Sequence, residues 1–236
     1  APLMHQPGEK YTYSMGMDIL GCVIERASGK TFDKFLKERI FDPLGMDDTS
    51  FYVPGSKADR FTNLYASPRG VRRLSPELSK SLSKNRNMVL VDPASNSPYL
   101  QEASLFDGGS GLVSSTRDYL TFAEMLLNGG SKGKTRIISR KSVELMSSNH
   151  LNKSITNDPK YPQGMGFGLT VGVVKDAGLA GQYGSNGKYF WGGAAATVFW
   201  IDPQEELVAV AMTQLLGIPW PLRADFEALV YGAIDD

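Results

Sequence analysis

Apolar residues recur at helical spacing between Ser14 and Ser28, where Met15, Ile19, Leu20, Val23 and Ile24 fall on one face. The spacing predicts a first helix there, stopped by Gly29. Thr31 offers an N-cap for a second helix. Its apolar face is Phe32, Phe35, Leu36 and Ile40, and Pro43 should end it. A third helix is expected from an N-cap at Thr116, through Tyr119, Leu120, Ala123, Leu126 and Leu127, to Gly129-Gly130. A shorter fourth spans about Ser139 to Ser147. The period then changes. Gly166 to Val174, Ala194 to Ile201 and Glu206 to Thr213 read as strands. The last two form a hairpin through the turn residues Asp202-Pro203-Gln204-Glu205. Pro221 to Ile234 read as a closing helix.

Residues 47 to 105 hold no sustained period and contain Pro54, Gly55, Pro68, Gly70, Pro76, Pro93 and Pro98. Long stretches of this kind line or cover sites. The expected layout is a helical region (1–50 and 106–150), an irregular excursion (51–105), and a sheet with a closing helix (164–236). Helices followed by antiparallel strands and a last helix make an α+β fold.

Composition narrows the partners. The 236 residues carry 25 Lys+Arg against 25 Asp+Glu, for no net charge. That argues against a nucleic-acid surface or an electrostatic membrane anchor. No apolar run is long enough to span a bilayer. Residues 1–10 include Pro2, Pro7, Gly8 and Glu9 and lack the apolar stretch of a signal peptide. The single cysteine, Cys22, allows no intrachain disulfide or cysteine metal cluster. Its place in the first helix predicts a small buried hydrophobe.

The search for chemistry yields little at first. His5 and His150 lie in no His-x-x-x-His pattern, so neither a zinc site nor a cofactor is expected. No Gly-x-Ser-x-Gly elbow is present; Gly108-Gly109-Ser110-Gly111 and Gly184-Ser185-Asn186-Gly187 have the wrong spacing. Gly164-Met165-Gly166-Phe167-Gly168 reads as a strand-entry turn rather than a phosphate loop. Two segments carry more. Tyr13 stands just ahead of the first helix, where the dipole and unpaired N–H groups favour a phenolate and so a base. Gly192-Gly193 at the head of a strand allow a ligand close to the backbone, and free N–H groups there can donate to a developing oxyanion.

In order along the chain, several segments resemble the β-lactamase-like serine hydrolases, the family of class C β-lactamases, D,D-peptidases and family VIII carboxylesterases. They are Pro7-Gly8, Tyr13-Ser14, Glu25 to Lys30, Ile40-Phe41-Asp42-Pro43-Leu44-Gly45-Met46-Asp47-Asp48-Thr49-Ser50, Gly108 to Asp118, and Trp191 to Gln214. The likeness covers most of the chain and implies an antiparallel sheet flanked by helices, with an N-terminal segment missing. It implies an acyl-serine mechanism in which a Ser-x-x-Lys supplies the nucleophile and a lysine and a tyrosine handle its proton. Tyr13 matches the tyrosine of the family's Tyr-Ser-Asn, with Met15 in place of the asparagine amide. Trp191-Gly192-Gly193 matches the Lys-Thr-Gly triplet, and Ala194 the residue whose backbone N–H binds the oxyanion.

Ser81-Leu82-Ser83-Lys84 and Ser131-Lys132-Gly133-Lys134 satisfy Ser-x-x-Lys in letters, yet both follow Tyr13 and neither opens an apolar helix. The resemblance places the nucleophile upstream, on a companion N-terminal segment or chain; self-association could otherwise cover the gap. Tryptophan at 191 cannot pair with a carboxylate as a lysine or histidine would. A pocket built this way favours a neutral small-molecule ester, hence a carboxylesterase or acyltransferase. The alternatives are a β-lactamase or D,D-peptidase and, from another class, a non-catalytic fragment or pseudoenzyme that binds without turnover.

Overall fold

A computed structural model describes residues 2–68, 70 and 88–235. Helix α1 (Gly16–Ser28) ends on left-handed Gly29, whose N–H donates to Glu25 O at 2.9 Å. Helix α2 (Phe32–Leu36) passes through a π-helical stretch, Lys37–Phe41, into α3 (Asp42–Leu44). Pro43 therefore does not end the run. It lies in the first turn of α3, where its missing N–H costs nothing, and left-handed Gly45 makes the stop. Nor does the Thr31 side chain cap α2; Glu25 Oε1 accepts the Phe32 N–H instead, at 2.8 Å.

Within the irregular excursion lie two short strands, β1 (Leu64–Ala66) and β2 (Val89–Asp92), paired antiparallel. Helix α4 (Thr116–Leu127) is capped by Ser115 rather than Thr116, its oxygen accepting the Asp118 N–H at 3.2 Å. A two-stranded hairpin, β3 (Ser131–Lys132) with β4 (Thr135–Arg136), leads to α5 (Arg140–Met146) and then α6 (Lys153–Thr156).

The segment expected as one strand from Gly166 to Val174 is two, β5 (Met165–Phe167) and β6 (Gly172–Val174). The chain reverses between them, with Thr170 at φ 80° and the Gly168 N–H donating to Val171 O at 2.8 Å. Helix α7 (Ala177–Ala180) precedes β7 (Tyr189–Gly192), a strand not anticipated as such. The next strand, β8 (Val198–Asp202), begins at Val198 rather than Ala194. Residues 193–197 are the β7–β8 turn, with Ala196 at φ 62°. Gly192-Gly193 thus close one strand instead of heading the next. Then follow β9 (Leu207–Ala211), β10 (Leu215–Leu216) and α8 (Leu222–Tyr231). Strands β5-β6-β7-β8-β9 form one antiparallel meander in chain order, and β10 pairs parallel with β1.

Helices cover both faces of the meander. Phe199 and Ile201 of β8 pack with Ala123, Met125 and Leu126 of α4. Val198 and Trp200, pointing the other way, pack with Phe226 and Val230 of α8. Side chains alternate along a strand, so a strand covered on both faces reads as a continuous apolar run, which is what Val198-Phe199-Trp200-Ile201 does. Buried charges beside α8 are paired. Asp202 accepts from the Tyr231 hydroxyl (2.9 Å) and the Ser185 N–H (2.8 Å). Lys188 is fully buried, with Nζ 3.6 Å from Glu227.

Helix α1 differs. Gly21 is its one buried residue, while Met15, Ile19, Leu20 and Val23 are exposed, Ile19 to 63%. Cys22 is exposed too, contrary to expectation. The periodicity forms the helix, but of its apolar stripe only Ile24 is half-buried by described residues. No helix among the described residues is long and apolar enough to cross a membrane.

Candidate active site

The segment ahead of α1 is drawn across the end of the sheet. Asn152 donates to Gly8 O at 2.7 Å, and the Tyr11 ring leans on Phe167 of β5 at 5.0 Å between centroids. This path stacks Tyr13 on Trp191 of β7, 6.1 Å between centroids and 24° between planes. Phe167 meets the same indole edge-to-face at 5.3 Å. Residues 178 positions apart in the chain are thereby in contact. The Tyr13 side chain is 75% exposed, and its hydroxyl has no hydrogen-bond partner among the described residues. Met15 directly precedes α1 and is exposed, with no side-chain capping bond.

The turn after Trp191 sets the direction of one amide. Gly193 N–H donates to Thr197 O (2.9 Å), and Gly193 O accepts from Ala196 N–H (3.1 Å). In a trans peptide the N–H points opposite to the C=O. Since Gly193 O faces into the turn, Ala194 N–H faces out of it, and it meets no acceptor among the described residues. By chain length alone Ala194 Cα lies within roughly 11 Å of Trp191 Cα. The turn is pinned from behind: Ala195 O accepts from Thr213 Oγ1 (2.7 Å) and Leu215 N–H (3.2 Å). Glycine at 193 leaves room for Thr197 Oγ1, which a Cβ there would displace. An outward amide on a braced turn is the type of donor that stabilises an oxyanion.

The foot of α1 rests on the loop 107–111. A Cβ on Gly108 would collide with Met17 O, and one on Gly109 would come within 2.6 Å of Asp18 Oδ1. The Gly109 N–H donates to Asp18 Oδ1 at 2.7 Å and to Asp107 Oδ1 at 2.9 Å. The two carboxyls influence one another's ionisation. A hydrogen bond to Asp107 raises the Asp18 pKa, and the same bond, with help from the Ser110 hydroxyl, lowers that of Asp107 to about 2. Glycine at 108 and 109 thus serves the seating of α1, and so of Tyr13, rather than a nucleophile elbow.

The other candidates fall outside the cluster. Ser110 Oγ donates to Asp107 and Ser185 Oγ to Glu205. His5 bonds Thr12 and His150 bonds the Leu145 carbonyl, so neither histidine is bonded to a serine among the described residues. Ser131 sits in the β3–β4 hairpin, its hydroxyl donating to Asn128 O at 3.3 Å, while Lys132 reaches Thr121 and Glu124. Ser81 to Lys84 lies outside the described residues. No cluster of metal-ligating side chains occurs among the described residues.

Sequence reasoning missed the supporting cast. Phe167 falls in a glycine-rich turn and an expected strand, neither of which points to a site, and Tyr11 and Tyr161 lie in no motif. The one signal was an unusual density of aromatics flanking glycine. Thr213 and Thr197 gave none, because a threonine ending a strand reads as propensity.

The 32%-identical Protein Rv1367c of Mycobacterium tuberculosis aligns over 90% of this chain and 51% of its own length. Lovastatin esterase of Penicillium rubens is 28% identical over 96% of this chain and 56% of its own. The chain thus spans about half the length of these relatives. Among solved structures, EstCE1, described as a hydrolase with promiscuous acyltransferase activity, superposes with a TM-score of 0.78 at 24% identity, over 98% of this chain and 59% of that one. The family model described as Beta-lactamase matches residues 1–232, and the chain belongs to that family.

Proposed function

We propose that this chain is the C-terminal portion of a carboxylesterase or acyltransferase acting on neutral esters, with its nucleophile on a Ser-x-x-Lys preceding Ala1. The observation that carries the reading is the Tyr13–Trp191 stack beside the outward-facing Ala194 amide. The serine Oγ attacks the ester carbonyl and its proton passes to Tyr13 or the lysine. The carbonyl oxygen, now an anion, accepts from Ala194 N–H. Collapse expels the alcohol, which takes the proton back, and leaves an acyl-serine. Water then gives hydrolysis, or a second alcohol gives acyl transfer.

Trp191 bears on the substrate. It brings an apolar face and one N–H to the position, and no cation for a substrate carboxylate. The likeness to lovastatin esterase points the same way. The upstream nucleophile is supported by the half-length alignment with the relatives and by the uncovered stripe of α1.

Turnover of a p-nitrophenyl ester and of a chromogenic cephalosporin by the same preparation tests the reading. It expects ester hydrolysis well above cephalosporin hydrolysis. The reverse preference would reassign the site to β-lactam or peptide chemistry. Neither activity, in a preparation whose intact mass includes an upstream segment, would favour a binding role.

A further inference from the structure

Beside the Tyr13–Trp191 stack the surface falls into a cleft of about 590 Å³, within the size range of small-molecule sites. Its wall is a continuous aromatic relay. Tyr161 meets Tyr11 edge-on at 6.2 Å, Tyr11 meets Phe167 at 5.0 Å, and Phe167 meets Trp191 at 5.3 Å. The relay ends on Trp191, which lines the cleft and stacks with Tyr13, so one side chain joins the cleft to the candidate site. Its back is fixed. Phe190 lines the cleft from β7 with the Arg223 guanidinium over its ring at 3.7 Å, and a Cβ on Gly172 would come within 3.0 Å of that ring.

The charges at the cleft cancel. Glu9 and Asp158 stand against Lys10 and Lys160. The lining residues therefore carry no net charge to favour an ionised group, and the wall offers ring faces and edges. The phenols of Tyr11 and Tyr161 are protonated at neutral pH and able to donate, and burial raises their pKa values further.

We propose that this cleft is the specificity subsite of the enzyme and takes an uncharged, ring-bearing group of the ester, held between the Tyr161–Tyr11–Phe167 relay and Trp191. The inference rests on the esterase reading for its chemistry, but not for its occupancy. An offset or edge-to-face ring contact adds to the ordinary gain from burial, so a ring should be preferred over an alkyl group of similar size.

The test has a binding arm and a turnover arm, both on the full protein in its purified assembly. In the binding arm, N-benzylacetamide, a neutral ring-bearing probe, is titrated while indole fluorescence is followed. Phe167→Ala should weaken binding roughly tenfold, with Phe167→Leu as the variant that keeps the core filled. The phenylacetate anion should bind more weakly than the amide. In the turnover arm, p-nitrophenyl phenylacetate is compared with p-nitrophenyl acetate for a ring on the acyl side, and benzyl acetate with ethyl acetate for a ring on the alcohol side. A ring preference on one side, reduced by Phe167→Leu, supports the subsite and says which half of the ester enters. Probe binding without any turnover would support the subsite while overturning the esterase reading. Turnover with no ring preference, or probe binding indifferent to both Phe167 variants, would overturn the subsite while leaving the esterase reading in place.

Discussion

Strand β8 and helix α1 are both legible as apolar patterns, yet they end in opposite states. All five residues of β8 are buried, Trp200 and Ile201 completely, because α4 lies on one face of the sheet and α8 on the other. Helix α1 carries an equally clear stripe, and the stripe faces outward. Periodicity reports which residues want burial; it does not report whether the same chain supplies the cover. Exposed apolar surface of this kind marks an interaction face, and Tyr13 leads directly into the helix that bears it. The chemistry we propose for the chain thus lies beside its exposed apolar stripe, while its buried core lies in the covered sheet.

That division can be broken by mutation. The largest effect should come from Tyr13→Phe, which removes one exposed hydroxyl. In the active assembly kcat for an ester should fall roughly 10²–10⁴-fold, with the melting temperature unchanged. Near-normal kcat would assign proton transfer to the lysine alone. In the covered sheet, Ile201→Ala should cost about 2–5 kcal/mol of stability, read by denaturant titration, because the cavity opens between sheet and α4.

Asp118 gives an intermediate case. Its Oδ2 accepts from Asp48 N–H and Thr49 Oγ1, both at 2.8 Å, tying α4 to the segment after α3. Asp118→Ala leaves those donors unpaired and should cost about 1–3 kcal/mol by the same titration. The smallest effect should be at Ile19. In the chain from Ala1 to Asp236 alone, Ile19→Ala should change stability by no more than about 0.5 kcal/mol. In an assembly that covers α1, the same change should rise toward the values of a core position. A cost that stays small in the assembly would place the companion segment elsewhere.

The extent of each helix was legible wherever a stop lay in local chemistry. Gly29 ends α1 as expected. Pro43 misled because a π-helical stretch set it into a first turn, where proline is tolerated. The sheet was legible in the β8–β9 hairpin, where turn residues are explicit. It failed at β5–β6 and at β7–β8, where the reversals use Thr170 and Ala196 in left-handed geometry. Neither residue type announces such a bend. Of the candidate site, the resemblance singles out Tyr13 and Trp191 separately, and the structure stacks their rings. It does not single out the aromatic relay through Phe167, and nothing in spacing links residues 11, 161 and 167. Cys22 shows the converse error, an apolar pattern taken as proof of burial.

The central claim is that an acyl-serine forms on a residue preceding Ala1 and is served by this chain. Labelling the active assembly with a fluorophosphonate and mapping the adduct by peptide mass tests it most directly. The account predicts one adduct, on the serine of an upstream Ser-x-x-Lys, with ester hydrolysis lost in proportion to labelling and Ser131 unmodified. An adduct on Ser81 or Ser131, or ester hydrolysis by the chain from Ala1 to Asp236 alone, would contradict it.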